Sequence, residues 1–223
     1  MSGDRQLALR DSTLRLPRLS GALRLHVPPS VDSLLEALDP DAPGVEERIP
    51  YWAELWPSSL ALAAWLAAGG GPRRPGRALE LGCGLGLAGL VALRLGWDLE
   101  LADRDATACA LARRNLARNG LDPRRVCELD WQAPPRARYA TLIAADILYE
   151  RAFAEPLARF FEAALLPGGR AYLVEPGRSV AEPCLERFAV DFTLRVRPLR
   201  ARVEGRWRPL RLIVLTRRAD AAR

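Results

Sequence analysis

The run Leu79-Glu80-Leu81-Gly82-Cys83-Gly84-Leu85-Gly86-Leu87-Ala88-Gly89 holds the densest concentration of chemistry in the chain. Alternating glycines let a backbone turn tightly and approach a ligand without side chains in the way. Placed between an apolar strand-like run and a helical one, such a loop presents free amide N–H groups. Glu80 stands directly before it, where a carboxylate suits a cationic group and repels a phosphate. Asp103 closes the next apolar run, in position to accept from sugar hydroxyls. Asp130 and Trp131 offer an acceptor for an amino group beside an aromatic that can pack on a ring. Asp146 ends the apolar run Leu142-Ile143-Ala144-Ala145, and a carboxylate there is costly unless it meets solvent or a partner. Tyr149 follows it by three. Trp52 and Trp56, four residues apart, read either as one apolar helix face or as a lid over a ligand.

The glycine loop admits two readings. Gly84-x-Gly86-x-x-Gly89 with Asp103 about 20 residues further on is the dinucleotide fingerprint. Glu80-x-Gly82-x-Gly84-x-Gly86 is the pattern that cradles S-adenosylmethionine. The loop alone does not decide. Glu80 argues against a pyrophosphate, and the ~75 residues before the first strand argue against a dinucleotide fold, which opens near its chain start. Gly82, Gly84 and Gly86 read as a ligand loop rather than tight-turn residues alone, Cys83 as a small filler, and His26 as a surface residue.

These groups need a frame. Residues 12 to 28 alternate around Pro17 and Gly21 as a hairpin or extended arm, and Ser33 to Leu38 fits one or two helical turns. Pro57-Ser58-Ser59 reads as a helix start with a hydroxyl near the cap, stopped by Gly69-Gly70-Gly71. Strand and helix then alternate: strands at 78–82, 98–103, 125–130, 139–146 and 171–176, and helices after each of the first two, at 153–166 and at 181–188. Asn119-Gly120 and Pro167-Gly168-Gly169 read as helix stops. The last two strands, either side of Glu204-Gly205, are too close for a crossover and pair antiparallel. The expected fold is α/β: a Rossmann-like, doubly wound, mostly parallel seven-stranded sheet with an antiparallel final strand. Residues 1–50 form an N-terminal arm and 51–223 the domain.

Composition excludes several classes. At 223 residues, 49% apolar and 27% charged, the chain is a globular domain rather than a disordered one. Cys83, Cys109, Cys127 and Cys184 form no CxxC pair and His26 is the only histidine, so no metal site and no histidine-based dyad is expected. The thiols read as reduced and the location as cytoplasmic. Residues 1–15 lack the apolar core of a signal peptide, and Leu60–Ala68 falls short of the ~20 residues of a spanning helix, so no membrane is expected. All 33 basic residues are arginine, and residues 170–223 carry 13 of them against 6 acids. That quarter reads as a solvated edge or as a docking face for an acidic partner.

The chain resembles the class I, seven-β-strand methyltransferases, and in particular the family 16 protein lysine methyltransferases, bacterial relatives of the electron-transfer flavoprotein β-subunit lysine methyltransferase among them. Trp52-Ala-Glu-Leu-Trp56-Pro57-Ser58-Ser59, the Glu80 loop, Asp103, Leu129-Asp130-Trp131 and Asp146-x-x-Tyr149 carry the resemblance. It implies S-adenosyl-L-methionine held by Trp52, Trp56, Glu80, Gly82, Gly84, Gly86, Asp103, Asp130 and Trp131, with Asp146 and Tyr149 as catalytic residues. The implied activity is transfer of a methyl group to lysine side chains of a protein substrate. A nicotinamide-like small-molecule acceptor and a catalytically silent binding module are the alternatives. A nucleic-acid substrate is disfavoured, because Asp146-Ile-Leu-Tyr149 replaces the Asn/Asp-Pro-Pro-Tyr of amino-adenine enzymes.

Overall fold

The computed structural model describes residues 9–29, 50–203 and 205–218. The helical turns expected at Ser33–Leu38 lie outside them. The arm forms a hairpin of β1 (Arg10–Leu14) and β2 (Leu23–Val27), paired from Arg10↔Val27 to Leu14↔Leu23. Helix α1 (Pro57–Ala67) opens with Pro57 at its first position, where a fixed φ and a missing N–H cost nothing. The serines do not cap it. Trp56 occupies the cap position with no side-chain bond to the helix's first turn, and Ser58 donates to Asp146 instead.

From there the expected alternation follows: β3 (Arg77–Leu81), α2 (Leu87–Arg94), β4 (Asp98–Asp103), α3 (Ala106–Arg118), β5 (Val126–Glu128), β6 (Tyr139–Ala145), α4 (Ala154–Ala164), β7 (Leu165–Glu175), α5 (Glu182–Asp191), β8 (Phe192–Val203) and β9 (Arg206–Arg217). Asp105 caps α3, accepting from Thr107 and Ala108 N–H at 2.7 and 3.0 Å. One expectation fails locally. Pro167-Gly168-Gly169 does not stop α4, which ends at Ala164; the three residues form an irregularity inside β7, where the register jumps from Tyr139↔Leu165 to Thr141↔Arg170. Gly168 takes φ +73°, and a Cβ on Gly169 would sit 2.8 Å from the Leu166 carbonyl oxygen, so the bulge needs both glycines.

The seven strands lie in the order β5-β4-β3-β6-β7-β9-β8, with the first five parallel and β9 antiparallel to both neighbours. This is the Rossmann-like methyltransferase sheet. The chain runs outward one way through β4 and β5 and the other way through β6 and β7, so its switch point lies between β3 and β6. A crevice opens at the carboxyl ends of such strands. Apolar clusters cover both faces: Leu62, Leu90 and Leu111 with the hairpin's Leu23 and Leu25 on one, Leu142, Leu157, Phe161 and Phe188 on the other.

Candidate active site

A cavity of about 360 Å³ sits at the switch point. Its floor is the loop after β3, its walls are the ends of β4 and β6, and the 51–59 segment roofs it. The loop is shaped by three left-handed glycines, Gly82, Gly84 and Gly86 at φ +66°, +50° and +79°. Each adjoins a different neighbour. A Cβ on Gly82 would lie 2.8 Å from Ile147 Cγ2, and one on Gly84 would lie 3.2 Å from the Trp52 carbonyl oxygen. Gly84 is therefore small so that the roof can close on the loop. Gly86 caps α2 and does not line the cavity. Gly89 is small for packing: a Cβ there would fall 2.3 Å from Glu80 Oε2, and its N–H donates to that oxygen at 2.9 Å.

Glu80 lines the cavity yet is only 2% exposed, and burial pushes its carboxyl up to about 8. Asp103 is also raised, chiefly by burial, although its Oδ2 accepts the Gly84 N–H at 2.9 Å and its Oδ1 the Asp105 N–H at 3.0 Å. Each oxygen keeps a second lone pair for an incoming hydroxyl. Trp131 lines the cavity, and its indole Nε1 is buried without a partner. Asp130 does not join them. It is exposed, its Oδ1 accepts the Gln132 N–H at 2.9 Å, and it stands off the cavity wall.

At the other end Asp146 takes φ +58°, rare for a non-glycine residue, held by its N–H on the Val174 carbonyl at 2.9 Å. Its carboxylate accepts the Ser58 hydroxyl at 2.8 Å and pairs with the Arg178 guanidinium. Tyr149 lies beside Tyr51 and Phe153, at 5.2 and 5.1 Å between ring centres, and burial pushes its phenol up to about 12. Trp52 and Trp56 both reach the cavity from an irregular segment, not one helix face: a single 3-10 turn covers Tyr51–Ala53, and Trp56 Nε1 donates to the Tyr51 carbonyl at 2.6 Å.

Arg178 and Tyr51 were not singled out by sequence reasoning, and Ser58 was read as a helix-start hydroxyl and as part of the resemblance, not as a partner of Asp146. Arg178 follows β7 with no motif to mark it. His26 is not a plain surface residue either. It is half-buried, with Nε2 3.2 Å from Asp11 Oδ1 and its backbone held by Asn115. Cys83 is the buried filler expected. Among the described residues no group of His, Cys, Asp and Glu can hold a metal ion.

The strand order, the positive-φ glycine loop and an acid at the end of the second strand define the class I methyltransferase architecture. More narrowly, the profile of the lysine methyltransferase family matches residues 51–181, and the chain belongs to that family. It is 31% identical over 137 residues to an electron transfer flavoprotein beta subunit lysine methyltransferase of Xenopus laevis, covering 58% of this chain and 54% of that protein. It is 29% identical over 110 residues to the protein N-lysine methyltransferase METTL21A of Danio rerio, covering 46% and 50%. The match thus spans about half the length of these curated relatives. A ribosomal protein L11 methylase structure from Lactobacillus delbrueckii subsp. bulgaricus superposes with a TM-score of 0.55 at 21% identity, over 70% of this chain and 77% of that one.

Proposed function

We propose that this chain uses S-adenosylmethionine to methylate lysine side chains of a protein substrate. One observation carries the reading: a single cavity, in a lysine methyltransferase family chain, joins the glycine loop and Asp103 to Asp146 and Tyr149. The donor set fits the cofactor. Asp103 has lone pairs for ribose hydroxyls, Glu80 faces the space for a cationic amino end, and Trp131 with Ile147 and Trp52 offers apolar surface for a ring. When bound, the cofactor supplies a methyl group on a cationic sulfur, open to in-line displacement.

The chain's own residues orient the acceptor and exclude water. A free lysine has a pKa near 10.4, so the neutral nucleophile at pH 7 costs ~4.6 kcal/mol. Asp146 keeps lone pairs that accept an amine N–H and aim the nitrogen, and the Tyr149 and Trp56 rings wall the slot. The proton departs to water before transfer. The Arg-rich last quarter fits an acidic docking partner. Four free thiols support a cytoplasmic setting, and among the described residues no helix is long and apolar enough to cross a membrane. The family match starting at residue 51 supports dividing arm from methyltransferase domain there.

Incubating the protein with a cell lysate and methyl-labelled cofactor tests the reading. Label is expected in protease-sensitive material and, after acid hydrolysis, as methylated lysine; since the chain contains no lysine, it cannot be mistaken for its own substrate. Asp146→Asn and Tyr149→Ala are expected to keep S-adenosylhomocysteine affinity and lose transfer by ~100-fold or more. Label only in protease-resistant small molecules would overturn the protein substrate, and binding of NAD instead of S-adenosylhomocysteine would overturn the reaction.

A further inference from the structure

Asp146 does not meet the cavity as a free carboxylate. Ser58 and Arg178 hold one oxygen each, and the side chain is 7% exposed. The Arg178 guanidinium carbon also stands 5.9 Å from the centre of the Trp56 ring. A carboxylate beside an indole face is what a substrate cation would seek, and Arg178 fills that position already. Its root is firm. The Gly177 N–H donates to Glu175 Oε2 at 2.7 Å, the Arg178 N–H to the same oxygen at 3.3 Å, and the buried Glu175 carboxylate is itself paired with Arg211.

We propose that Arg178 sets the charge state in which an acceptor enters: it neutralises Asp146 and occupies the cation position against Trp56, so the slot takes a neutral amine and turns an ammonium away. This rests on the methyl-transfer reading and deepens it by naming the form of the substrate. A second cation beside a fixed guanidinium is repelled by the same Coulomb law that binds the guanidinium to Asp146. A neutral amine meets no such penalty. Ser58 and Arg178 use two of the roughly four lone-pair sites of the carboxylate, leaving room for an amine N–H. The amine nitrogen then gives its electron pair to the new N–C bond, the C–S pair stays on sulfur, and the methylated ammonium formed sheds a proton to water. Arg178 is in this view a positioning and specificity residue.

Sinefungin carries an ammonium-bearing carbon where the cofactor has its methyl sulfonium, and S-adenosylhomocysteine lacks both. Calorimetry of the two from pH 7 to 10 reads the slot directly. In the wild type the ratio of sinefungin to S-adenosylhomocysteine affinity is expected to rise by about tenfold, one pK unit of charge preference, as the ammonium loses its proton. In Arg178→Gln sinefungin is expected to gain about tenfold over S-adenosylhomocysteine at pH 7, with the rise flattened, and Arg178→Lys to behave like the wild type. The Glu54, Glu80, Asp103, Asp105 and Glu150 carboxyls, the Arg104 guanidinium and the Tyr51 phenol line the same cavity and act on the extra ammonium of sinefungin, and Glu80, raised to about 8, ionises within this range. The Arg178→Gln profile over the same range carries their contribution, so the difference between wild type and variant reads Arg178. Tyr149, raised to about 12, keeps its proton throughout. A wild-type ratio that is flat or falls with pH overturns the inference, even should the variants fail to fold, and so does an Arg178→Gln ratio that does not rise at pH 7. Absence of S-adenosylhomocysteine binding to the wild type removes the methyl-transfer reading, and the inference with it.

Discussion

Glu80 is the residue at which folding and ligand binding oppose each other. Burial raises its carboxyl from 4.5 to about 8, so the folded protein keeps this proton over a range where the unfolded chain has lost it. The unfolded state then binds fewer protons, and stability falls as pH rises. The contribution is whole below about pH 4.5 and is lost by about pH 8. Glu80→Gln, whose amide oxygen can still accept the Gly89 N–H, is expected to flatten that slope and to be more stable than the wild type at pH 8. Urea denaturation at pH 5, 6.5 and 8 measures it; parallel profiles would show that Glu80 is not the group responsible. Such single-residue features were legible where they were local. Glu80, the glycines and Asp103 declare themselves by spacing across one strand-loop-helix-strand unit. Ser58 and Arg178, 88 and 32 residues from the Asp146 they bind, have no local signature. Asp130 misled for the converse reason: a strand-end acid beside an aromatic fits a ligand, but the chain turns after β5 and bonds it to Gln132.

At the scale of elements, α3 acts as a surrogate strand for the arm. Asn115 and Asn119, the only asparagines in the chain, face the backbone of β2. Asn115 accepts the His26 N–H at 2.7 Å and donates to the His26 carbonyl, while Asn119 accepts the Arg24 N–H at 3.0 Å and donates to the Arg24 carbonyl at 2.7 Å. Asn115, fully buried, also donates to the Leu85 carbonyl at 2.9 Å, inside the glycine loop. The alternation in residues 12–28 made the hairpin legible, but its docking was not, because Asn119 reads only as a helix stop and Asn115 carries no local signal until the β2 backbone is brought against them. Asn115→Ala leaves buried backbone groups unpaired, so a loss of about 1–3 kcal/mol in stability is expected. Since one of those groups belongs to the ligand loop, S-adenosylhomocysteine affinity should fall too, whereas Asn119→Ala should lower stability without touching affinity. Chemical denaturation and calorimetry on both variants separate the two effects, and equal affinities would place Leu85 outside the ligand's influence.

Over the whole molecule, the arginines of the last quarter do not form one surface. Strands β8 and β9 pair over their full length, but β7 pairs with β9 only from Arg211 to Thr216, so the hairpin runs on past the carboxyl edge of the sheet, where the cavity lies. Side chains alternate along a strand. Arg195 and Arg197 therefore join Arg170 in a groove with Trp65 and Tyr172, while Arg200 and Arg202 share the other face with Trp207, which is 61% exposed and lies 5.4 Å beneath the Arg200 guanidinium. Counting charge hid this split, although the odd and even positions already contained it. If an acidic protein substrate docks by the route nearest the cavity, Arg200→Glu with Arg202→Glu should raise KM for methyl transfer to protein with less change in kcat. Arg195→Glu with Arg197→Glu should leave KM unchanged, and neither pair should alter S-adenosylhomocysteine affinity. Ionic docking also weakens as salt approaches ~0.5 M, where the Debye length is only a few Å. Transfer rates with the labelled lysate fraction, at two salt concentrations for each double variant, decide among three outcomes. A KM effect confined to the first pair assigns docking to the ribbon, one confined to the second moves it to the groove, and none in either pair removes the arginines from substrate recognition.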